Sequence, residues 1–220
     1  MSGRTVLVTA FEPFGGETVN ASWEAARALD GWRCGDWVAI VRRLPCVYGA
    51  CVDEFVEAFG CLAPEAVLMT GQAAGRAIVS VESVARNRAH AARPDNRGVA
   101  GAAITFGPPL LEATVSASEI ARAIRAAGLP ARVSANAGDY VCNHLFYGAL
   151  SALIEKAPGT PAVFVHLPAT PEQTPPRASR RRLATPDAVR ALKAAIAAMT
   201  KKATHIERGM GHAALLPEQG

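Results

Sequence analysis

The chain has no C-x-x-C pair, and its five cysteines, Cys34, Cys46, Cys51, Cys61 and Cys142, are scattered and odd in number. Neither a disulfide framework nor a zinc site is indicated, and thiols kept free in a reducing compartment are expected. No apolar stretch approaches the ~18 residues of a membrane span, and the segment after Met1 lacks a signal-peptide layout. A soluble, cytoplasmic protein with no membrane contact is the expectation. The glycine turn Gly71-Gln72-Ala73-Ala74-Gly75-Arg76 lacks the lysine and hydroxyl residue of a phosphate loop. A nucleoside phosphorylase-like site is unsupported for the same reason, since no arginine and glycine set for phosphate assembles. Charge is sparse at 19%, and the net +4 is matched by the arginines of one run, Arg177, Arg180, Arg181 and Arg182. No basic face interleaved with aromatics accompanies them, so a solvated loop is expected and no nucleic-acid partner. No internal repeat and no Pro/Gly break divides the sequence, and residues 1–220 are read as one domain.

What the chain does have is apolar surface in quantity. Half of it is hydrophobic, enough for a substantial core and for self-association. Strand patterns at Thr5–Thr9, Trp37–Leu44, Ala66–Thr70, Ile78–Val84, Ala131–Ser134 and Pro161–Leu167 alternate with helical ones. The helices are expected from a cap at Asn20 or Ser22 to Leu29, over Val47–Phe59, from Ser116 or Ser118 to Ala127, over Asn143–Lys156, and from the Thr185 cap to Thr200. Residues 86–109 read as an irregular excursion with a hairpin near Ile104. Residues 168–184, with four prolines, read as an exposed, mobile loop. The order predicts an α/β fold: a three-layer α/β/α sandwich with a twisted, mostly parallel (mixed) central sheet.

Chemistry concentrates where strands end. Cys142 lies where a short apolar run gives way to a helix, and a helix N-terminus favours a thiolate and supplies N–H groups for an oxyanion. Taken alone, the same pattern suits a small buried hydrophobe. Phe11 and Phe14 stand on the loop after the first strand, at the edge where open α/β sheets bind ligands; plugging the core beneath that loop accounts for them equally well. Glu82 sits in an apolar run, where a carboxylate is unusual unless it faces outward. His166 falls near the end of a strand. Strand ends at Phe11, Gln72, Cys142 and His166 are expected along one edge of the sheet, where a Cys–His pair forms without sequence adjacency.

The segments TAFEPFGG (9–16), GQAAGR (71–76), SVESVARN (80–87), GDYVCNHLFY (138–147) and FVHLPATPEQ (164–173) resemble, in that order, those of the pyroglutamyl peptidase I family of cysteine peptidases, also called pyrrolidone-carboxylate peptidases. The resemblance implies hydrolysis of the bond after an N-terminal 5-oxoprolyl residue of a peptide, with no cofactor. It implies Cys142 as nucleophile, His166 as general base and acid, and Glu82 as the acidic member of the triad. Phe11, Phe14, Gln72, Tyr140 and Val141 match substrate-contacting positions, and a homotetramer is the implied assembly. Two positions depart from the family pattern. Ala10 stands where glycine is usual, which would strain the chain if that position needed a positive φ. In Ala91-Ala92-Arg93-Pro94-Asp95-Asn96 the family's arginine position holds Ala92, with Arg93 one place later. Arg93 is then expected as an oxyanion contact or as support behind the site, and a shift by one in an extended segment would turn it to the other face. The alternative that follows is a lactam-binding homologue with altered specificity or without turnover.

Overall fold

The computed structural model of the protein describes residues 3–101, 107–171, 173 and 182–211. Its centre is a seven-stranded sheet. In chain order the strands are β1 (Arg4–Phe11), β2 (Arg33–Cys34), β3 (Trp37–Leu44), β4 (Ala66–Gln72), β5 (Val79–Glu82), β8 (Ala131–Ser134) and β9 (Ala162–Leu167), arranged β2-β3-β1-β4-β9-β5-β8. A separate antiparallel pair joins β6 (Val84–Arg86) to β7 (Leu110–Glu112).

Alternation along the strands sets the layers. In β1, Val6, Val8 and Ala10 face one core, and Leu7 and Phe11 face the other. The first core is closed by α1 (Ala21–Ala26), α3 (Ala117–Ala126) and α5 (Thr185–Gly211), which supply Ala25, Ile120, Ile124, Leu192 and Ile196. The second is closed by α2 (Ala50–Leu62) and α4 (Val141–Lys156), with Phe55, Leu145, Phe146, Leu150 and Leu153. Both faces of the central strands are dry, so β4 is buried along its whole length, as expected for strands covered on two sides. The expected three-layer α/β sandwich with a mixed sheet is what forms.

Several boundaries differ for local reasons. The second helix starts at Ala50 because Gly49, at φ 75°, stands outside helical space. The helix with Cys142 starts two residues earlier than its apolar spacing, at Val141. The last helix continues past Thr200 to Gly211, since no glycine or proline interrupts it before Gly209. A hairpin near Ile104 lies outside the described residues.

Two expectations are corrected. First, β1, β3, β4 and β9 are parallel, but β5 runs antiparallel to β9, and β8 follows β5. The connection 73–78 holds no helix and is too short for a parallel crossover. The strand before Cys142 therefore does not end at the common edge; the loop 135–140 carries the chain back to it. Second, the described ends of the 168–184 stretch are largely covered, Pro171 excepted. Ala169, Thr170, Gln173 and Leu183 are buried, and Gln173 accepts the Thr170 N–H at 2.8 Å and donates to the Val19 carbonyl. Arg182 donates to the carbonyls of Thr170 and Gln173, so it is not the solvated charge expected. Arg177, Arg180 and Arg181 lie outside the described residues.

Candidate active site

Gly71 is the floor of the site. It pairs with His166 across β4 and β9, and the β1/β4 register, carried two residues past Thr9 and Met69, brings Phe11 level with it. A Cβ at Gly71 would lie 2.8 Å from Cys142 Sγ and 2.9 Å from Phe164 Cζ. Only a residue without a side chain leaves room for the sulfur there. We expect Gly71→Ala to force the α4 N-terminus outward, costing about 1–3 kcal/mol as overpacking does, and to change the rate at which iodoacetamide alkylates Cys142. A variant with unaltered melting temperature and alkylation rate would show that the sulfur does not need this floor.

Cys142 occupies the first turn of α4. The first intrahelical bond recorded there runs from His144 N to Tyr140 O, so the N–H groups of Val141, Cys142 and Asn143 precede the helical ladder and point out of its positive end. Burial pushes the Cys142 thiol well up, with Cys46, Cys51 and Glu82 adding to the effect and Arg76 opposing it.

His166 and Glu82 meet on the same face of the sheet. Nδ1 of His166 lies 2.8 Å from Glu82 Oε1, reaching diagonally across an antiparallel pair in which Glu82 stands opposite Phe164. Glu82 is wholly buried, so the outward-facing alternative fails. Arg76 Nη1 pairs with the same Oε1, and its Nη2 donates to the Asn136 carbonyl at 2.6 Å. A carboxylate oxygen accepts from both, so the imidazole proton sits on Nδ1 and Nε2 keeps its lone pair. Burial lowers the His166 pKa from the ordinary 6.5, against the opposing pull of Glu82. Phe164 lies under the ring at 4.7 Å between centroids. Among the described residues no hydrogen bond links Cys142 to His166; both flank Gly71.

An aromatic row passes through Tyr140, the residue that caps α4. Phe14 and Tyr140 lie 5.7 Å apart, Tyr140 and Tyr48 5.9 Å, and Tyr48 and His144 5.4 Å. Tyr140 donates to the Pro94 carbonyl at 3.0 Å, and Cys46 Sγ lies 3.7 Å from its oxygen; burial holds the Cys46 thiol up at about 12. Phe14 packs against the α2/α4 core from its loop, whereas Phe11 is buried in that core beside Cys142. Val141 is fully buried and can offer only its backbone. Gln72 spends its amide oxygen on the Ala21 N–H at 2.6 Å, leaving its NH2 group to offer.

The two departures resolve in the structure. Ala10 is an ordinary β1 residue paired with Arg43, and the only non-glycine positive φ among the described residues is at Ala63, so Ala10 carries no such strain. Arg93 lies in an irregular segment rather than a strand, where no alternation rule applies. Its guanidinium carbon sits 5.8 Å from the Phe14 ring centre, and Nη1 would be 2.9 Å from a Cβ on Gly15. That puts it at the aromatic row.

Other polar groups, Asp95 and Asn143 buried and Glu12 and His144 half-buried, escaped the sequence reading. Glu12 Oε1 accepts from Cys46 N at 3.0 Å and Asn96 Nδ2 at 2.7 Å, and Asn96 also donates to Pro13 O. Asp95 accepts from the N–H groups of Tyr48, Arg97 and Val99; burial raises its pKa, but these bonds prevail and hold it below the ordinary carboxylate value. Asn143, next to the sulfur, accepts from Arg86 N and donates to the carbonyls of Arg86 and Arg88. His144 Nε2 accepts from Gly49 N at 3.1 Å, and burial lowers its pKa. Only their places within the quoted motifs could have drawn attention to Asn143 and His144. Among the described residues, no group of three or more His, Cys, Asp and Glu could hold a metal ion, and no helix is long and apolar enough to cross a membrane.

Comparison with known proteins gives a consistent answer. The family model described as pyroglutamyl peptidase matches residues 4–219. The pyrrolidone-carboxylate peptidase of Cupriavidus necator is 44% identical over 94% of this chain and 98% of its own. That of Chromobacterium violaceum is 43% identical over 88% and 91%. Among solved structures, pyroglutamyl peptidase I from Bacillus amyloliquefaciens superposes with a TM-score of 0.85 at 37% identity, over 90% of this chain and 95% of that one. A mutant pyrrolidone carboxyl peptidase from Pyrococcus furiosus superposes with a TM-score of 0.85 at 30% identity, over 90% and 99%.

Proposed function

Because the chain belongs to the pyroglutamyl peptidase family, we propose that it is a cysteine peptidase that removes an N-terminal 5-oxoprolyl residue from peptides by means of Cys142, His166 and Glu82. The observation that carries this reading is the His166 Nδ1 to Glu82 Oε1 contact of 2.8 Å on the strand pair beside the Gly71 floor over which Cys142 Sγ sits. A protein that merely bound a lactam would gain nothing from a buried carboxylate fixing an imidazole tautomer.

In this mechanism Cys142 Sγ attacks the carbonyl carbon while His166 Nε2 takes the thiol proton. The new S–C bond forms, and the carbonyl electron pair moves onto oxygen. N–H groups of the α4 first turn hold that oxyanion, a contribution of roughly 3–4 kcal/mol per donor in other enzymes. Glu82 favours the imidazolium. As the oxyanion collapses, the C–N bond breaks, and the imidazolium gives its proton to the leaving amine. Water, deprotonated by His166, then attacks the thioester, releasing 5-oxoproline and restoring the thiol.

The aromatic faces of Phe11, Phe14 and Tyr140 suit a flat, uncharged ring, with Arg93 at its rim. The Gln72 NH2 and the Val141 backbone are the proposed polar partners of the lactam. A pyroglutamyl reporter amide should be cleaved, and the matching prolyl amide, which leaves the lactam's partners unpaired, should react roughly 10³-fold more slowly. Equal rates, or no cleavage of the pyroglutamyl amide, would sink the proposal.

Assembly as a homotetramer is proposed on the apolar composition and on exposed Leu110 and Ile154. Mass measurement in solution checks it. A cytoplasmic location is supported by the free state of Cys34, Cys46, Cys51, Cys61 and Cys142.

A further inference from the structure

Arg76 stands on the connection from β4 to β5, and its guanidinium reaches two separate parts of the site. Nη1 meets the Glu82 oxygen that His166 also bonds. Nη2 donates at 2.6 Å to the Asn136 carbonyl, in the loop that delivers the chain from β8 to Cys142. The other carboxylate oxygen of Glu82 is buried without a hydrogen-bond partner, so Arg76 and His166 between them fix this carboxylate. The Arg76 side chain is itself largely covered, at 18% exposure, where an ion pair is screened far less than at the surface. A planar fork can hold two acceptors at a set angle; an ammonium group is a point charge and cannot.

We propose that Arg76 is a positioning residue of the reaction: one arm fixes Glu82 against His166, and the other ties down the loop before α4, so that base and nucleophile are held in one frame. This rests on the triad read above. It touches no reacting atom and acts only through Glu82 and the Asn136 carbonyl.

The charge has a second consequence. The titratable groups around it are Glu82 on β5, His166 on β9 and Cys142 on α4, with Cys46 and Cys51 beyond the sulfur. Without Arg76, His166 and Cys142 would both titrate higher, because the Arg76 charge lowers each of them. The rise at His166, the group that must be neutral to take the thiol proton, moves the acid limb of the rate profile toward higher pH.

The test compares Arg76→Ala, Arg76→Lys and Arg76→Gln with the unaltered protein on a pyroglutamyl reporter amide. Arg76→Ala should lower kcat roughly 10²-fold, the low end of what a positioned acid–base pair contributes, with KM changed less than about threefold. Its acid limb should rise by about one pH unit. Arg76→Lys should return the limb toward its original place while kcat stays low, since the charge is kept and one tether is lost. Arg76→Gln should leave the limb displaced. An unaltered kcat and limb in Arg76→Ala would overturn the proposal, as would equal loss in all three with no movement of the limb, which is the mark of a purely structural role. If Arg76→Ala does not fold, the Lys and Gln variants decide the matter. Iodoacetamide alkylation of Cys142 gives a second readout that needs no peptide turnover: its pH dependence follows the thiol, and should move upward in Arg76→Ala and Arg76→Gln and back in Arg76→Lys. An unaltered protein that cleaves nothing would thus count against the peptidase, while alkylation would still decide the role of Arg76.

Discussion

Cys142→Ala is expected to bring release of a reporter amine from a pyroglutamyl conjugate down to the background rate, a loss of about 10⁵-fold or more, as when a sole nucleophile is removed from other hydrolases. The fold should survive. The change deletes one sulfur from the mouth of a core cluster that is otherwise dominated by Phe55, Leu145, Phe146 and Leu150, and the Sγ–Gly71 approach is relieved rather than broken. A loss of about 1 kcal/mol or less is expected from so small a cavity. Cys142→Ser should be almost as inactive despite its similar size, because a hydroxyl is a far weaker nucleophile than a thiol at its ordinary pKa. Binding is the control: both variants should still retain a pyroglutamyl peptide in calorimetry, since the aromatic row is untouched. Turnover in Cys142→Ala at more than about a hundredth of the original rate would remove the thiol from the mechanism.

The frame of this site was legible in the sequence, and its wiring was not. Continuous apolar runs along β1, β4 and β9 announce strands covered on two faces, and the helical spacing from Asn143 announces where Cys142 sits. Periodicity says nothing of strand direction, however. That β5 runs against β9 follows from a connection with no helix in it, and this direction is what lets Glu82, opposite Phe164, lean across to His166. The outward-facing reading of Glu82 assumed one solvated face; with α4 over that side of the sheet there is none. Asn143 and Glu12 make the same point. Each is a polar residue whose purpose, bonding backbone groups of Arg86, Arg88 and Cys46, depends on segments far away in the chain. The one-residue displacement to Arg93 looked serious under the rule for strands. It loses force because the segment is irregular and the side chain is long enough to return to Phe14.

Glu82→Gln asks whether the carboxyl group orients the imidazole or supplies charge. The amide oxygen of glutamine can take the place of Oε1 and still accept from both Arg76 and His166 Nδ1, so orientation alone would survive the change. Charge would not. The imidazolium formed when His166 accepts the thiol proton would lose its counter-ion at a largely buried position, and the Arg76 charge would lose its partner. Burial already disfavours the protonated form of His166, with Glu82 pulling the other way, so removing that pull leaves the base weaker as well. We expect Glu82→Gln to lower kcat roughly 10³-fold, toward the upper part of what general acid–base assistance contributes, and to lie within about tenfold of Glu82→Ala. The new amide NH2 would fall where Oε2 has no partner, at a cost of ~1–3 kcal/mol. The stranded arginine adds to that, by less than a fully buried one would because its side chain is 18% exposed. A fall in melting temperature of roughly 5–10 °C follows for a chain of this size. Steady-state kinetics on Gln, Ala and Asp variants, each checked to be folded at the assay temperature, separate the two roles. A Glu82→Gln enzyme within about threefold of the original kcat, beside an inactive Glu82→Ala, would mean that holding the ring is all this residue does.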